Sequence, residues 1–289
     1  MSAAPAPTPR PAGALTRLRR TARSLLTRED VPPGSWLLNA GGTAALGGKV
    51  LGQLLTPGLS WRREFVRQYV FAFRVTLLPA TVVAFVIGFS TIGIQGGSLA
   101  SAFGAIDRIS AAAPVAFLRE LGPLLTTAIV AGTIGSTVTA EIGARKIREE
   151  LVALEILGIN PVRNLILPRV VGLALWMPVL SLLTFWAGIA GTFAAAVLLY
   201  DSTVQAYFSQ LLTLTNYIDL WGSVVKLTLF GVLIGIIAAY KGLQVGGGAE
   251  GVGRAVNESV VTSLVVIGVV TVVYTQLFQA LFPEVNFGG

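Results

Sequence analysis

Residues 121–161 read LGPLLTTAIVAGTIGSTVTAEIGARKIREELVALEILGINP. The first twenty residues of this stretch carry no charge, and about 20 predominantly apolar residues are enough for a helix to cross the hydrocarbon core of a bilayer. Leu121–Ala140 is therefore predicted to span a membrane. The continuation, Arg145–Leu157, alternates charged and apolar residues and is followed by Gly158 and Pro161, which end helices. It is predicted to be a short amphipathic helix outside the bilayer.

The composition of the whole chain agrees with a membrane protein. Of its 289 residues, 54% are hydrophobic and 12% are charged, and the mean hydropathy is +0.75. A soluble domain carries roughly a quarter charged residues, so a soluble globule and a largely disordered chain are both excluded. The sequence contains neither Cys nor His, which excludes disulfides, thiolate or imidazole metal sites and Ser-His-Asp triads.

Four further apolar segments have the length of a membrane span, which makes five in all. They are Val75–Ile94, Val170–Leu199, Leu220–Tyr240 and Ser259–Phe282. Before the first of them, Leu59–Phe73 carries aromatic residues at helical spacing beside arginines, which favours a helix lying in the membrane interface over one packed on the protein's own core. The predicted fold is an all-α polytopic membrane protein with this interfacial helix, five transmembrane helices and the short helix between the second and third.

The predicted domain organisation follows the same pattern. Residues 1–34 are rich in Pro, Ala and Arg and are expected to be a disordered basic leader. Residues 35–74 form an N-terminal interfacial region, residues 75–283 the membrane domain, and residues 284–289 a short external tail.

Basic residues alternate between the connections. The region up to Arg74 holds 11 Lys and Arg, and the connection 141–169 holds five, whereas the connection 200–219 holds none. Cytoplasmic connections are the ones enriched in Lys and Arg. The pattern predicts a multi-pass protein of the cytoplasmic (inner) membrane with its N-terminus inside and its C-terminus outside. It also accounts for the net charge of +7 without nucleic acid as a partner.

A charged pair, Arg119 and Glu120, stands at the outer start of the predicted second span. Charges at membrane depth are costly and usually pair or face a polar cavity, so the pair is either an interfacial pair reaching water or part of a functional pocket. Small residues recur four apart in three of the spans, and they permit either a dimer interface or internal packing. These pairs are Gly93/Gly97, Gly132/Ser136 and Gly231/Gly235.

Several motifs in order resemble the MlaE/YrbE permease family, and especially its actinobacterial members that are paired with Mce proteins. They are RELGPLL at 119–125, AG at 131–132, AEIG at 140–143, REELVALEILGINP at 148–161 and YKGLQVGGGAEGVGRAV at 240–256. The resemblance extends from about Gly34 to Phe282. Many members carry Arg where this chain has Thr133, so no role of that Arg is carried over.

The resemblance implies a transmembrane permease subunit of an ABC-type lipid transporter. The implied partners are a second permease subunit, a separate cytoplasmic ATPase, MCE-domain proteins that carry lipid, and the lipid substrate. Actinobacterial members come in pairs, which favours a paralogue heterodimer over a homodimer. No cofactor is expected in this chain, and ATP is expected on the partner. Residues 41–50 read GGTAALGGKV and fail the P-loop pattern, because Thr43 and Val50 stand where that pattern requires Gly and Ser or Thr.

The resemblance also suggests two sets of site residues. The helix Arg145–Leu157 corresponds to the coupling helix that contacts the ATPase, and its candidate residues are Arg145, Ile147, Glu149, Glu150, Leu151, Leu154 and Glu155. The candidate lipid pocket or gate comprises Arg119, Glu120, Thr126 and Thr127.

Two other classes of protein stay open at this stage. A secondary transporter would need intramembrane acids for ion coupling, and the predicted spans lack Asp and Glu in their central stretches. A membrane scaffold without transport is opposed only by the resemblance of the short helix to a coupling helix.

Overall fold

The structure is a computed structural model that describes residues 35–54, 61–104, 109–211 and 217–282. Contacts divide the chain into two units, Met1–Ala44 and Ala45–Gly289. In the first unit the described residues, 35–44, are helical. The leader predicted at 1–34 and the tail predicted at 284–289 lie outside the described residues.

Among the residues that the structure describes, five helices are long and apolar enough to cross a membrane. Span 1 is Arg62–Ala102, span 2 is Ala113–Ile147, span 3 is Val162–Tyr200, span 4 is Tyr217–Leu243 and span 5 is Gly248–Leu281. The same residues also form the helices Ser35–Leu54, Glu150–Ile156 between spans 2 and 3, and Val204–Leu211 between spans 3 and 4. The described residues contain no strand, and the predicted all-α polytopic membrane fold is confirmed.

The start of span 1 differs from the prediction. A single helix runs over Arg62–Ile87, so no separate interfacial helix ends at Phe73, because no Gly or Pro interrupts the chain there. The rings of Tyr69 and Phe73 lie 5.5 and 5.4 Å from that of Trp176 in span 3. The aromatic face thus packs on the protein's own core, which was the alternative interpretation.

Spans 1, 2 and 3 each contain π-helical turns. These are Gly88–Gly96, Phe117–Leu121, Ala131–Gly135 and Val162–Ile166. Such turns insert a residue into the helix and occur frequently at functional sites. The second of them holds Arg119 and Glu120, so the charged pair lies within the helix of span 2 and not at its outer start.

Close helix contacts explain two of the small-residue pairs. A Cβ on Gly231 of span 4 would lie 2.6 Å from the carbonyl oxygen of Leu173 in span 3, and one on Gly235 would lie 3.0 Å from the Cα of Val170. A Cβ on Gly93 would collide with Ala195 of the same span 3. These glycines therefore serve internal packing around span 3, whereas Gly132 has no neighbour within 4 Å of such a Cβ.

Candidate functional site

Four charged side chains from spans 2 and 4 form two ion pairs inside the bundle. Arg119 binds Asp219 through two contacts, Nε to Oδ1 at 2.9 Å and Nη2 to Oδ2 at 3.3 Å. Lys226 Nζ lies 3.3 Å from Glu120 Oε1 and donates to the Arg119 carbonyl oxygen at 2.8 Å. The side chains of Asp219 and Lys226 are 1% and 3% exposed. Because each buried charge has an opposite partner, the cost of removing it from water is offset.

Span 5 contributes Thr275 to this group and places Tyr274 beside it. We call Arg119, Glu120, Asp219, Lys226 and Thr275 the charged cluster. The Thr275 hydroxyl donates to Glu120 Oε1 at 2.8 Å and lies 3.3 Å from Lys226 Nζ. The Tyr274 ring centroid lies 5.8 Å from Lys226 Nζ, which is within the range of a cation–π contact. The cluster therefore ties spans 2, 4 and 5 together.

The local sequence explains how these charges meet. Asp219 and Lys226 are seven residues apart, two helical turns, and so lie on one face of span 4. Arg119 and Glu120 are adjacent, and the π-helical turn that contains them alters the angle between successive side chains. Each of the two can therefore reach a different partner on span 4.

An apolar groove of about 510 Å³ opens beside the cluster, between spans 4 and 5. Its walls include Tyr217, Trp221, Val225, Leu277 and Phe282. A smaller cavity of about 30 Å³, lined by Arg119, Asp219 and Lys226, adjoins it. Gly222, Tyr274 and Phe278 line both spaces. The arrangement offers an apolar surface that ends at charged and hydroxyl groups, which suits an amphiphile.

Two of the four predicted pocket residues lie at the smaller cavity or in the charged cluster. Arg119 lines the smaller cavity and Glu120 belongs to the charged cluster, whereas Thr126 and Thr127 are buried at 0% and 1% exposure and line neither space. The Thr126 hydroxyl lies 3.3 Å from that of Thr184 in span 3.

Sequence reasoning missed Asp219, Lys226 and Thr275. The seven-residue spacing of Asp219 and Lys226 near the start of one apolar helix was the available signal. Glu120 and Asp219 lie within helices of the bundle but toward the starts of spans 2 and 4, outside the central stretches in which no acid was expected. Each acid is paired with a base.

The predicted coupling helix is divided in the structure. Span 2 continues to Ile147, Arg148 and Glu149 form a turn, and a separate helix covers Glu150–Ile156. Glu149 has a φ of 59°, a left-handed conformation that interrupts a helix. Arg145 and Ile147 therefore belong to the last turn of span 2.

The residues that the short helix exposes differ from those that its sequence pattern suggested. Leu151 and Leu154 are half-buried. Val152, Ile156 and Leu157 are 57%, 81% and 73% exposed. The exposed apolar surface of this segment is therefore the face formed by these last three residues, which we call the outer apolar face.

An ion pair fixes the start of the short helix. Arg148 Nε donates to Glu150 Oε1 at 2.7 Å, and Arg145 Nη1 lies 3.9 Å from Glu150 Oε2. The hydrogen bond from Arg148, together with the charges of Arg148 and Arg145, holds the pKa of the Glu150 carboxyl below its ordinary value, against an opposing effect of desolvation. The ionised carboxylate therefore stabilises this turn.

The five apolar helices of the described residues and their buried, paired charges define a polytopic membrane protein. The family model for permease MlaE matches residues 65–277. A probable ABC transporter permease protein of Rickettsia prowazekii is 32% identical over 213 residues, which cover 74% of this chain and 82% of the relative. The chain belongs to the MlaE permease family and is an ABC transporter permease subunit.

Two other relatives show how widely the family is distributed. A probable ABC transporter permease protein of Synechocystis is 36% identical over 165 residues, 57% of this chain and 63% of the relative. A chloroplastic protein of Arabidopsis thaliana named trigalactosyldiacylglycerol 1 is 29% identical over 258 residues, 85% of this chain and 70% of the relative.

Proposed function

We propose that this permease subunit moves lipid, driven by ATP hydrolysis on a separate cytoplasmic ATPase. The observation that carries the proposal is the apolar groove between spans 4 and 5, which adjoins the charged cluster. Acyl chains would occupy the groove, and the polar head would lie toward Arg119 and Lys226. The relative that carries the name of a glycerolipid is a further support.

The outer apolar face is the proposed contact with the ATPase. The helix Glu150–Ile156 has only seven residues, and a helix of that length is marginal in water without a partner surface. Val152, Ile156 and Leu157 would enter a groove of the ATPase, while Glu149 and Glu155 would face basic groups at its rim. Leu151 and Leu154 would hold the helix against its own bundle, and Arg145, Ile147 and Glu150 would fix its start.

The remaining partners are proposed from the family. A second permease subunit, a paralogue in preference to an identical copy, would pair with this one, and MCE-domain proteins would carry lipid outside the membrane. Span 5 exposes a row of apolar side chains that a partner subunit or lipid would cover, among them Val261, Val265, Val269 and Val272. The proposed orientation places the short helix in the cytoplasm and the connection near Ser202 outside, in the inner membrane.

Photo-crosslinking tests the lipid site. A photoreactive amino acid at Trp221 or Leu277, both in the groove, should capture phospholipid from the membrane under ATP-free conditions. The same amino acid at Val82 of span 1, which is exposed but outside the groove, serves as the matched control. If Val82 captures as much phospholipid as Trp221 and Leu277 do, the groove is only ordinary lipid-facing surface and the proposed site is wrong.

A further inference from the structure

A second polar cavity lies at the end of the bundle that carries the short helix. Its volume is about 300 Å³, and the start of span 1, the end of span 2 and the start of span 3 enclose it. The charged side chains that line it are Arg67, Arg145, Arg148 and Arg169, together with Glu64 and Glu141. This basic cavity is separate from the charged cluster and shares no lining residue with the groove.

The acids of the basic cavity are already engaged by one arginine. Arg169 Nη2 lies 2.6 Å from Glu141 Oε2 and 3.8 Å from Glu64 Oε1. The Arg169 side chain is 1% exposed, and its buried Nε has no hydrogen-bond partner among the described residues. A buried guanidinium therefore keeps an unused donor in the cavity wall, and an unused buried donor is costly.

The arginines of the basic cavity carry more positive charge than the nearby acids neutralise. Arg148 is paired with Glu150, which lies outside the cavity lining, and Arg145 is only 3.9 Å from that same acid. No carboxylate of the described residues lies within 4.0 Å of the Arg67 guanidinium. With Glu150 included, four cations face three anions, and an anion is the ligand that this balance favours.

Arginine forks match the geometry of phosphate oxygens. The cavity volume of about 300 Å³ is at the lower end of the range for small-molecule sites, roughly 300–1,000 Å³. It is therefore large enough for a phosphate group with part of a lipid headgroup. A basic cavity between transmembrane helices is a known type of site for anionic headgroups.

The depth of the cavity indicates a lipid as the source of the phosphate. Arg67 stands between Val66 and Val70, which are 56% and 39% exposed on the surface of span 1, and the aromatic Trp61 immediately precedes this helix. Exposed apolar residues beside arginines and an aromatic residue mark the level of the membrane interface. We propose that the basic cavity binds the phosphate of an anionic phospholipid headgroup in the adjacent leaflet. Naming that leaflet as cytoplasmic rests on the proposed function.

The test compares lipid retention by the full-length chain. The protein is purified in detergent micelles that contain both phosphatidylglycerol and phosphatidylcholine. The bound lipid is then counted by native mass spectrometry. We expect enrichment of phosphatidylglycerol, reduced about tenfold in the variant Arg67→Gln/Arg145→Gln, because charge-assisted hydrogen bonds to the phosphate are lost. The control Arg62→Gln/Arg63→Gln removes the same charge from exposed positions outside the cavity lining and should retain phosphatidylglycerol as the unmodified protein does. Arg67→Lys/Arg145→Lys keeps the charge without the fork of donors and should retain an amount of phosphatidylglycerol between those of the Gln variant and the unmodified protein.

A second arm distinguishes a headgroup from free phosphate. Inorganic phosphate is added to the protein in phosphatidylcholine nanodiscs, and its binding is measured by the change in thermal stability. Stabilisation by inorganic phosphate without retention of phosphatidylglycerol would overturn the lipid assignment. Equal loss of phosphatidylglycerol in the control variant, or no enrichment at all, would overturn the site. Neither readout requires the ATPase or transport, so failure here is distinct from failure of the proposed function.

Discussion

The ion pairs between spans 2 and 4 set the energetics of the site at the scale of single residues. Arg119 and Asp219 are 100 positions apart in sequence, and in their bidentate contact the Arg119 side chain is 17% exposed and the Asp219 side chain 1% exposed. Removing one partner of such a pair takes the opposite charge away from the other in a medium of low dielectric constant. That is more costly than removing both partners together.

Asp219→Asn is expected to destabilise the folded protein by about 3–5 kcal/mol, because Arg119 loses its bidentate contact with the Asp219 carboxylate. The measurement is the denaturant or thermal unfolding of the detergent-solubilised chain. The matched control is Glu250→Gln, which removes an acid that is 89% exposed and should change little. The double variant Arg119→Gln/Asp219→Asn should lose less stability than the sum of the two single variants. Additive effects would mean that the pair contributes no coupling energy.

The sequence predicted part of this site for a sound physical reason. Arg119 and Glu120 stood out because charges beside an apolar span are costly and need a partner or a cavity. Their partners were not predicted, since pairing between helices 100 residues apart depends on how spans 2 and 4 pack. Thr126 and Thr127 line neither the groove nor the smaller cavity, and the sequence could not show this, because a hydroxyl within a span can face either a pocket or a neighbouring helix such as span 3.

At the scale of elements, the short helix Glu150–Ile156 shows which features a periodic sequence pattern predicts and which it does not. The pattern predicted a short amphipathic helix over Arg145–Leu157 with Leu151 and Leu154 on its contact ridge, whereas the separate helix covers Glu150–Ile156 and leaves both leucines half-buried. It could not show that Glu149 would adopt a left-handed conformation and turn the helix away from span 2. For that reason the exposed residues are Val152, Ile156 and Leu157.

Ile156→Arg should leave membrane insertion unchanged, because this side chain is 81% exposed. If the outer apolar face binds the ATPase, the charge enters a desolvated contact and weakens association by about 2–5 kcal/mol. Recovery of the ATPase in a pull-down measures the effect, and Ile156→Leu is the control that keeps the apolar contact. Undiminished recovery with Ile156→Arg would exclude this face from the interface.

The start of the short helix should loosen in acid. Since the pKa of Glu150 is lowered in the folded protein, its stabilisation is present above the ordinary carboxyl pKa and is lost as the pH falls through the lowered value. A spin label at Ala153→Cys reports the change as increased mobility, and no native Cys interferes. Glu150→Gln should be mobile at every pH, whereas the control Glu155→Gln should follow the unmodified protein. A mobility independent of pH would contradict this role of Glu150.

At the scale of the whole molecule, apolar length predicted the number of spans but not their ends. The predicted first span began at Val75, whereas the helix begins at Arg62. Charged residues do not end a helix when they are exposed at its start, as Arg67 is, or pair inside the bundle, as Arg119 does. The bilayer limits which part of a helix must be apolar, and the helix itself continues for as long as its backbone hydrogen bonds do.

The proposed orientation is open to cysteine labelling. A Cys at Gln205, exposed in the helix Val204–Leu211, should react with a membrane-impermeant reagent from outside intact cells. A Cys at Ala153, exposed in the short helix, should react only after the membrane is opened. The prediction follows from the alternation of basic residues between connections, and the reverse labelling pattern would contradict it.

The central claim, that this permease subunit couples ATP hydrolysis on a partner to lipid movement, is tested most directly by transfer of a fluorescent phospholipid. The permease and its ATPase are reconstituted in vesicles, with an MCE-domain protein added outside. We expect transfer of the phospholipid to require ATP, to be lost with Ile156→Arg and to be retained with Ile156→Leu. Transfer at the same rate without ATP and with Ile156→Arg would contradict it.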